Sequence, residues 1–407
     1  MSKKIVIAGA GHAAGQVAAT LRQRNFEGQI MLVGDESYLP YQRPPLSKGF
    51  LAGKMSAERL HLKADNFYDD HHIEVQLQTT ITAIDRHDKT LKIEDGEDIA
   101  YDKLVLALGS RATALPVEGA NLKSVYYLRN IDDVEQIRPE MDVGRRLVII
   151  GAGYIGLEAA AVARSLGLDV TVIEMADRVM SRVVSPEISD FYQIEHTDKG
   201  VKLRLSTSIE ALRGKKRVKR VEIAGGEEIR ADFVIIAIGI LPNTELAEHA
   251  GLEVADGIVV DDRCLTSDKN IYAVGDCTSH PNEIYGRRLR LESVHNAIEQ
   301  AKTAAENLCG VEAHYSQVPW FWSDQYDLKL QIAGLSEGYD EVVIRGNPAD
   351  KSFACLYLKD NRLIAVDAVN APRDFVQSKA LIAAHAVLSA DKLADSARSL
   401  KDIAAEA

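Results

Sequence analysis

The chain has 407 residues and a formal net charge of −12, and it contains no apolar run long enough to cross a bilayer. The negative charge argues against nucleic acid or an anionic membrane as a main partner, because both attract positively charged surfaces. The length predicts two or three domains, and 28 glycines among abundant aliphatic residues are typical of α/β proteins.

Two lysines precede an apolar run at residues 5–8, as in a signal peptide, but glycines follow after four residues. We therefore expect a buried strand in a cytoplasmic protein. The cysteines are too widely spaced for a C-x-x-C pair and too few for a disulfide framework. They are predicted to be buried thiols in a reducing compartment: Cys264, Cys277, Cys309 and Cys355.

The N-terminal segment has the order strand, glycine turn, helix, strand and acidic residue. Gly9 permits a tight turn, Gly11 lets the backbone approach a pyrophosphate, and the small Ala14 lets the helix pack on the sheet. The second strand, residues 30–33, leads to Asp35, where a carboxylate accepts hydrogen bonds from an adenosine ribose. This order predicts a dinucleotide site.

The same order returns after residue 146, with Gly151, Gly153 and Gly156, a helix, a strand at 170–173 and Glu174. Residues 101–109 and 231–239 also match each other, each a buried strand with Asp near its start and Gly at its end. Glycines that serve only tight turns are the plainer alternative, but the strand, helix and acid contexts agree twice. We infer a duplicated domain and two bound dinucleotides.

Beyond Leu308, alternating segments at 328–332, 341–345 and 352–358 predict a small antiparallel sheet, followed by a helix from Pro372. Trp320 and Trp322 are two positions apart and lie on one face if their segment is a strand. They are either packing anchors or functional residues.

Two further segments, Tyr38–Lys48 and Asn270–Cys277, together with the glycine turns, resemble FAD-dependent pyridine nucleotide reductases. The resemblance runs from Ile5 to Ile403 and is closest to ferredoxin reductases of bacterial oxygenase systems, of the putidaredoxin-reductase type that serves cytochromes P450. It implies an α/β fold with two Rossmann-type, glutathione-reductase-like domains and a small C-terminal α+β domain. We expect an FAD domain at 1–109 and 240–317, an NAD domain at 110–239 and an interface domain at 318–407.

The resemblance also implies which residues hold the two cofactors, FAD and NAD(H). The FAD residues are Gly9, Gly11, His12, Ala13, Ala14, Asp35, Arg43, Lys48, Ile81, Ala107, Gly109, Arg129, Gly275, Asp276, Val294 and Trp322. The NAD residues are Gly151, Gly153, Tyr154, Ile155, Gly156, Glu158, Glu174, Arg182 and Gly239. Residues 292–296 open a predicted helical run to Leu308, whose positive N-terminus would face the flavin pyrimidine ring and stabilise the reduced flavin.

Three of these residues are implied to act in the reaction. Lys48 is expected beside flavin N5, paired with Glu158 to position the nicotinamide, and Trp322 at the flavin edge where a ferredoxin docks. The plainer alternatives are a surface lysine and a glutamate on a helix surface.

Glu174 is expected to set the cofactor preference. A carboxylate there binds the ribose 2′-hydroxyl and repels a 2′-phosphate, which favours NADH over NADPH. Arg178 and Arg182 lie just downstream and could meet a phosphate. The resemblance assigns Arg182 to the NAD pyrophosphate.

The cysteine positions exclude the disulfide chemistry of glutathione-reductase-like enzymes, so electrons must leave the flavin directly. The resemblance implies an NADH:ferredoxin reductase that supplies a [2Fe-2S] ferredoxin of a P450 system, and we expect it to work as a monomer. Alternatives are the reductase of an aromatic-ring dioxygenase or rubredoxin system, or a redox-regulated interaction protein resembling apoptosis-inducing factor.

An acidic ferredoxin requires a basic docking face. The candidates are Arg287, Arg288, Arg290, Lys302, Lys329 and Arg345. Gln331 stands where some relatives carry lysine, which leaves the ferredoxin's identity open. A second basic run, 213–220, is interpreted as a solvated hairpin.

Overall fold

A computed structural model describes residues 3–406. The α-helices are α1 (His12–Gln23), α2 (Phe67–Asp70), α3 (Ile131–Ile137), α4 (Tyr154–Ser165), α5 (Pro186–Asp198), α6 (Glu245–His249), α7 (Val294–Leu308), α8 (Pro372–Ala383), α9 (Ala390–Ala394) and α10 (Leu400–Ala404). Short 3-10 helices lie at Pro44–Ser47, Ala57–Leu60, Arg138–Glu140 and Pro348–Asp350.

The strands of the first half of the chain are β1 (Lys4–Ala8), β2 (Gln29–Val33), β3 (Ile73–Gln76), β4 (Ile81–Asp85), β5 (Thr90–Ile93), β6 (Ile99–Ala100), β7 (Lys103–Leu106), β8 (Ser110–Ala112), β9 (Val125–Tyr127), β10 (Arg146–Ile150), β11 (Asp169–Ile173) and β12 (Lys202–Arg204). Those of the second half are β13 (Ile209–Gly214), β14 (Val218–Ile223), β15 (Glu228–Arg230), β16 (Phe233–Ile236), β17 (Ile240–Pro242), β18 (Ile258–Val259), β19 (Ile271–Ala273), β20 (Thr278–Asn282), β21 (Arg287–Leu289), β22 (Trp320–Gln325), β23 (Leu328–Gly334), β24 (Glu341–Asn347), β25 (Ser352–Lys359) and β26 (Arg362–Val369).

The chain forms two compact units. Unit 1 consists of Met1–Arg43, Glu58–Arg111 and Leu241–Pro319, and unit 2 of Pro44–Ala57, Ala112–Ile240 and Trp320–Ala407. The short segment Pro44–Ala57, which the sequence assigns to the FAD domain, belongs to unit 2. Within unit 2 its Ser47 and Lys48 bond to Glu158. The other domain boundaries stay predictions.

Unit 1 contains a five-stranded parallel sheet of order β19-β7-β1-β2-β3. The alternation of β1 divides its core: Ile5 and Ile7 pack with α1 and α7 on one face, whereas Val6 and Ala8 pack with the β4-β5-β6 sheet on the other. Helix α7 begins at Val294, within the predicted segment 292–296, because the Ser293 side chain accepts a hydrogen bond from the Asn296 N–H.

Unit 2 contains a second parallel sheet, of order β12-β11-β10-β16-β9. Strand β10, which leads into the second glycine turn, begins with the same hydrogen bond as β1, which leads into the first. The Asp102 carboxylate accepts from the Lys4 N–H at 2.7 Å in unit 1, and the Asp232 carboxylate accepts from the Arg146 N–H at 2.9 Å in unit 2. The predicted duplication therefore extends to individual hydrogen bonds.

The remainder of unit 2 is an antiparallel sheet of order β22-β23-β26-β25-β24, followed by α8 from Pro372. The predicted antiparallel sheet and helix are confirmed; strand β26 was not predicted. No helix among residues 3–406 is long and apolar enough to span a membrane. Three cysteines are buried as predicted, whereas Cys309 at the end of α7 is half-buried.

Candidate functional site

The first glycine turn lies between β1 and α1 in unit 1. Gly9 has φ +113°, and a Cβ on it would lie 2.3 Å from the Ala107 carbonyl oxygen, so only glycine fits. A Cβ on Gly11 would meet no atom within 4 Å. The turn therefore opens onto free space at the N-terminus of α1, where unpaired N–H groups favour a pyrophosphate.

A half-buried histidine follows the turn. The Nδ1 of His12 has no hydrogen-bond partner among the described residues, and burial lowers its pKa to about 4, although nearby Asp276 acts in the opposite direction. A neutral imidazole with a free nitrogen suits a ligand in the open space. The residues around this turn therefore fit a bound dinucleotide.

The 275–278 loop is held against the same helix. A Cβ on Gly275 would lie 3.3 Å from the Ala13 Cβ, and the Asp276 carboxylate accepts from Ser110 Oγ at 2.8 Å. From below, Gln300 Oε1 accepts from the Gly275 N–H at 2.7 Å. Sequence reasoning missed Gln300, although an amide about two turns into a helix with several alanines was a visible signal.

Two acidic residues, Asp35 and Glu36, follow β2 and have different surroundings. Asp35 is exposed beside the turn, where Gly34 lies close to Ala10. The neighbouring Glu36 accepts from Tyr41 and pairs with Arg43 at 2.5 Å. Asp35 is thus the carboxylate left for a ribose, while Glu36, which was not predicted, orients Arg43.

The other predicted FAD residues lie in both units. Unit 1 also holds Ile81, Ala107, Gly109 and Val294, whereas Lys48, Arg129 and Trp322 belong to unit 2. Ile81 begins β4 and packs on the core below the sheet, so its backbone is the part available to a cofactor.

The second glycine turn, in unit 2, is tighter than the first. Gly151 approaches the Ala237 carbonyl oxygen, and a Cβ on Gly156 would lie 2.2 Å from the Gly151 carbonyl oxygen. A Cβ on Gly153 would meet nothing within 4 Å. The Glu174 carboxylate accepts from the Ala152 N–H at 2.7 Å, which places it beside the turn. This arrangement fits a second dinucleotide.

The tyrosine and isoleucine that follow this turn differ in exposure. The Tyr154 hydroxyl is buried, and its ring packs against Phe321 at 4.8 Å between centroids, whereas Ile155 is 37% exposed. Tyr154 therefore supports the turn from inside unit 2.

The two arginines near Glu174 have different environments. Arg178 donates to the Val184 carbonyl oxygen at 2.8 Å and to Ser189 Oγ at 2.7 Å, so its guanidinium is occupied in the fold. An Arg182 nitrogen lies 3.6 Å from the Cβ position of Gly239. Of the two, Arg182 is therefore the one that adjoins a predicted NAD residue.

Lys48 and Glu158 form an ion pair, with Nζ and Oε2 2.8 Å apart. Glu158 is only 4% exposed, and it also accepts from Ser47 Oγ at 2.5 Å and from Ser323 Oγ at 2.6 Å. The alternative of a glutamate on a helix surface is therefore wrong. The two serines were not predicted, because serine carries no charge pattern and the contacts span more than a hundred residues.

A cavity of about 580 Å³ opens on the C-terminal sheet of unit 2. Its lining includes Trp320, Trp322, Asp324, Lys329, Gln331 and Asn370. Trp320 packs edge-on against Phe375 at 5.7 Å. It is a packing anchor, whereas Trp322 lies 5.6 Å from it along the same cavity.

Arg345 is not a surface residue, and its assignment to a docking face was wrong. It is 3% exposed, pairs with Asp374 at 2.9 Å and donates to the carbonyl oxygens of Leu393 and Asp395. In β24 it shares the inward face with Val343, two positions before it, whereas Ile344 between them is exposed. This period-2 signal was present in the sequence. Arg290 forms an ion pair with Asp256, and Lys302 forms one with Glu299. The 213–220 run is a β13–β14 hairpin, as predicted.

Two open glycine turns in one chain, each with a carboxylate beside it, define an oxidoreductase that binds two dinucleotides. The chain belongs to the pyridine nucleotide-disulphide oxidoreductase family, whose model matches residues 3–301, and the reductase C-terminal model matches residues 320–404. As the sequence predicts, it is an FAD-dependent oxidoreductase that uses NAD(H).

Full-length relatives support this assignment. The chain is 42% identical over 403 residues to the 5,5'-dehydrodivanillate O-demethylase ferredoxin reductase subunit of Sphingobium sp. strain SYK-6, covering 98% of each chain. It is 42% identical to putidaredoxin reductase of Pseudomonas putida, covering 99% of this chain and 97% of that one. It superposes on a chain of the covalent putidaredoxin reductase–putidaredoxin complex with a TM-score of 0.97 and 42% identity, over 100% of this chain and 99% of that chain. The predicted resemblance is confirmed.

Proposed function

We propose that this enzyme is an NADH:ferredoxin reductase that passes electrons from NADH through FAD to a [2Fe-2S] ferredoxin, which in turn supplies a cytochrome P450. The observation that carries the proposal is the full-length similarity to reductases named for ferredoxin partners. NADH as electron donor and cysteines kept as thiols favour a cytoplasmic location.

FAD, when bound, supplies a hydride acceptor and a donor of single electrons. The first turn, with His12 and Asp276, would hold it in unit 1. The second turn would hold the NADH pyrophosphate, with Glu174 on the ribose. The Lys48–Glu158 pair would position the nicotinamide, since hydride transfer requires the two reacting atoms to be held close together.

The cavity beside Trp322 is the proposed acceptor site. Lys329 is exposed at its edge and supplies a positive charge, and Trp322 supplies an aromatic surface for contact. Such a combination suits an acidic protein partner, because opposite charges speed the encounter and an aromatic contact stabilises the complex.

The test is anaerobic stopped-flow absorbance. The enzyme is reduced with NADH and mixed with P450-type ferredoxins, dioxygenase-type ferredoxins and a rubredoxin. Rapid reoxidation by a P450-type ferredoxin supports the proposal. Faster reoxidation by a dioxygenase-type ferredoxin or by the rubredoxin would show that the P450-type ferredoxin is not the partner. Rapid reduction without reoxidation by any acceptor contradicts the proposal and favours the interaction-protein alternative.

Lys329→Ala tests the acceptor site. At low salt we expect about a fivefold rise in KM for the ferredoxin, shrinking at high salt as charges are screened. Lys392→Ala is the matched control, because Lys392 is also exposed in the C-terminal region but lies outside the cavity. Equal effects of the two substitutions would place docking elsewhere.

A further inference from the structure

A chain of buried hydrogen bonds extends from Glu158 to helix α5 within unit 2. Ser323 Oγ, which donates to Glu158, accepts from Gln325 Nε2 at 3.2 Å. Gln325 Oε1 lies 2.8 Å from His196 Nε2, and His196 Nδ1 lies 3.2 Å from the Tyr326 hydroxyl. Ser323, Gln325 and His196 are all fully buried.

All donors of this hydrogen-bond chain have the same direction, from Tyr326 toward Glu158. Because Gln325 donates its amide N–H to Ser323, its carbonyl oxygen must accept from His196, so the His196 proton lies on Nε2. Nδ1 then accepts from Tyr326, and burial lowers the pKa of His196, which keeps the ring neutral. Every donor therefore points toward the Glu158 carboxylate.

The polarity of the chain suits an anion at its end. A buried carboxylate is stable only where donors compensate its lost hydration. Lys48 and Ser47 serve one Glu158 oxygen, and Ser323 serves the other. Gln325 also excludes a proton relay, because an amide does not pass a proton along without changing its tautomer.

The far end of the hydrogen-bond chain lies in the turn between β22 and β23. Tyr326 has φ +57°, the left-handed region that a bulky residue rarely adopts. Its ring packs beside the His196 ring at 5.1 Å and under Lys199 at 5.7 Å. This φ is required by the two-residue turn between β22 and β23, where Gln325 pairs with Leu328, and the ring contacts place Tyr326 on His196.

We propose that Ser323, Gln325 and His196 are positioning residues whose hydrogen-bond chain holds the Glu158 carboxylate oriented toward Lys48 during the reaction with NADH. This inference rests on the proposed function, because it assigns the Lys48–Glu158 pair to NADH oxidation. It adds residues from β22 and α5, which lie outside both glycine turns in the sequence.

The test is a double-mutant cycle on the FAD-loaded enzyme. Ser323→Ala is made in the wild type and in Glu158→Gln, and the rate of flavin reduction at saturating NADH is measured by anaerobic stopped flow. We expect about a tenfold loss in the wild type, as for a lost hydrogen bond to a charged group. In Glu158→Gln we expect less than about a twofold loss, because Ser323 acts through the carboxylate.

Ser378→Ala is the matched control. Ser378 is fully buried in α8 of the same unit, its hydroxyl has no partner among the described residues, and the reduction rate should not change. If Ser323→Ala fails to fold with FAD, Gln325→Leu replaces it in the same cycle, with an expected loss of about threefold.

Two different results would overturn the positioning role, and only one of them would also overturn the proposed function. Equal losses in both backgrounds, or no loss in the wild type, overturn the positioning role while leaving the proposed function intact. A wild-type enzyme that NADH does not reduce overturns the proposed function, and the positioning role with it.

Discussion

The two glycine turns share their hydrogen bonds but differ at the third small residue. Gly9 donates to the Val33 carbonyl oxygen at 2.7 Å, and Gly151 donates to the Ile173 carbonyl oxygen at 2.8 Å. Ala14 fills the third position of the first turn, whereas Gly156 in the second would place a Cβ 2.2 Å from a carbonyl oxygen. A glycine is thus required only where the helix lies this close to its turn.

The helices that follow the two turns, α1 and α4, also differ seven residues after the first glycine of each turn. Gln16 of α1, seven residues after Gly9, donates to its own helix neighbour Thr20. Glu158 of α4, seven residues after Gly151, is a buried carboxylate paired with Lys48. The duplicated fold is therefore specialised at single side chains: a neutral amide in α1, and a carboxylate in α4, where we propose that it positions the nicotinamide.

The largest expected effect is that of Gly156→Ala. The added Cβ cannot fit, so α4 must shift, and we expect reduction by NADH to slow at least about a hundredfold, because a small misplacement of a bound reactant is costly. Stopped flow gives the rate, and thermal unfolding gives the stability.

Ala14→Gly is the counterpart in the first turn. It should keep FAD bound and cost about 1 kcal/mol, the usual difference between glycine and alanine in a helix. Normal NADH kinetics in Gly156→Ala would show that the closer helix is not a requirement.

The next largest effect is expected for Glu158→Gln, which gives α4 the residue type that α1 has at the matching position. The amide keeps an oxygen for Ser323 or Ser47, but Lys48 loses its partner, and we expect flavin reduction about tenfold slower or more. Lys48→Met should slow it as well, and it should also lower stability, because Glu158 is left buried without its cation. Unaltered stopped-flow rates in both variants would refute their role.

Glu174→Ala should reduce the preference for NADH over NADPH by about tenfold, measured as the ratio of kcat/KM values. Glu174→Gln separates charge from structure, because it retains an acceptor for the Ala152 N–H while it removes the repulsion of a 2′-phosphate. Unchanged discrimination in both variants would show that another residue selects the cofactor.

The smallest effect on cofactor choice is expected for Arg178→Ala. The guanidinium bonds to Val184, Ser189 and Ser181 within the fold, so its loss should lower the melting temperature and leave the NADH-to-NADPH ratio unchanged. An altered ratio with unchanged stability would instead indicate a phosphate contact.

The sequence predicted what local order determines. The glycine turns, the strands beside them and the start of α7 all follow from patterns within about thirty residues. The Lys48–Glu158 pair followed only from resemblance to a family, because its partners are distant in the chain. Ser323 and Gln325 were missed for the same reason, since tertiary contacts alone give these common polar residues their partners.

Arg345 shows a different failure. Its charge suggested the surface, yet the alternation of β24 places it inward with Val343, where Asp374 and backbone carbonyl oxygens compensate its burial. Strand periodicity was the better guide than residue type at this position.

We propose that the first turn holds FAD and the second holds NADH. Gly11→Ala and Gly153→Ala test it most directly, because each added Cβ enters only the open space of its own turn. The measurement is the FAD content of each purified variant together with its NADH dissociation constant from stopped flow. We expect Gly11→Ala to lose FAD, and Gly153→Ala to keep FAD while binding NADH at least about tenfold more weakly. Loss of FAD from Gly153→Ala, with normal FAD content in Gly11→Ala, would contradict the assignment.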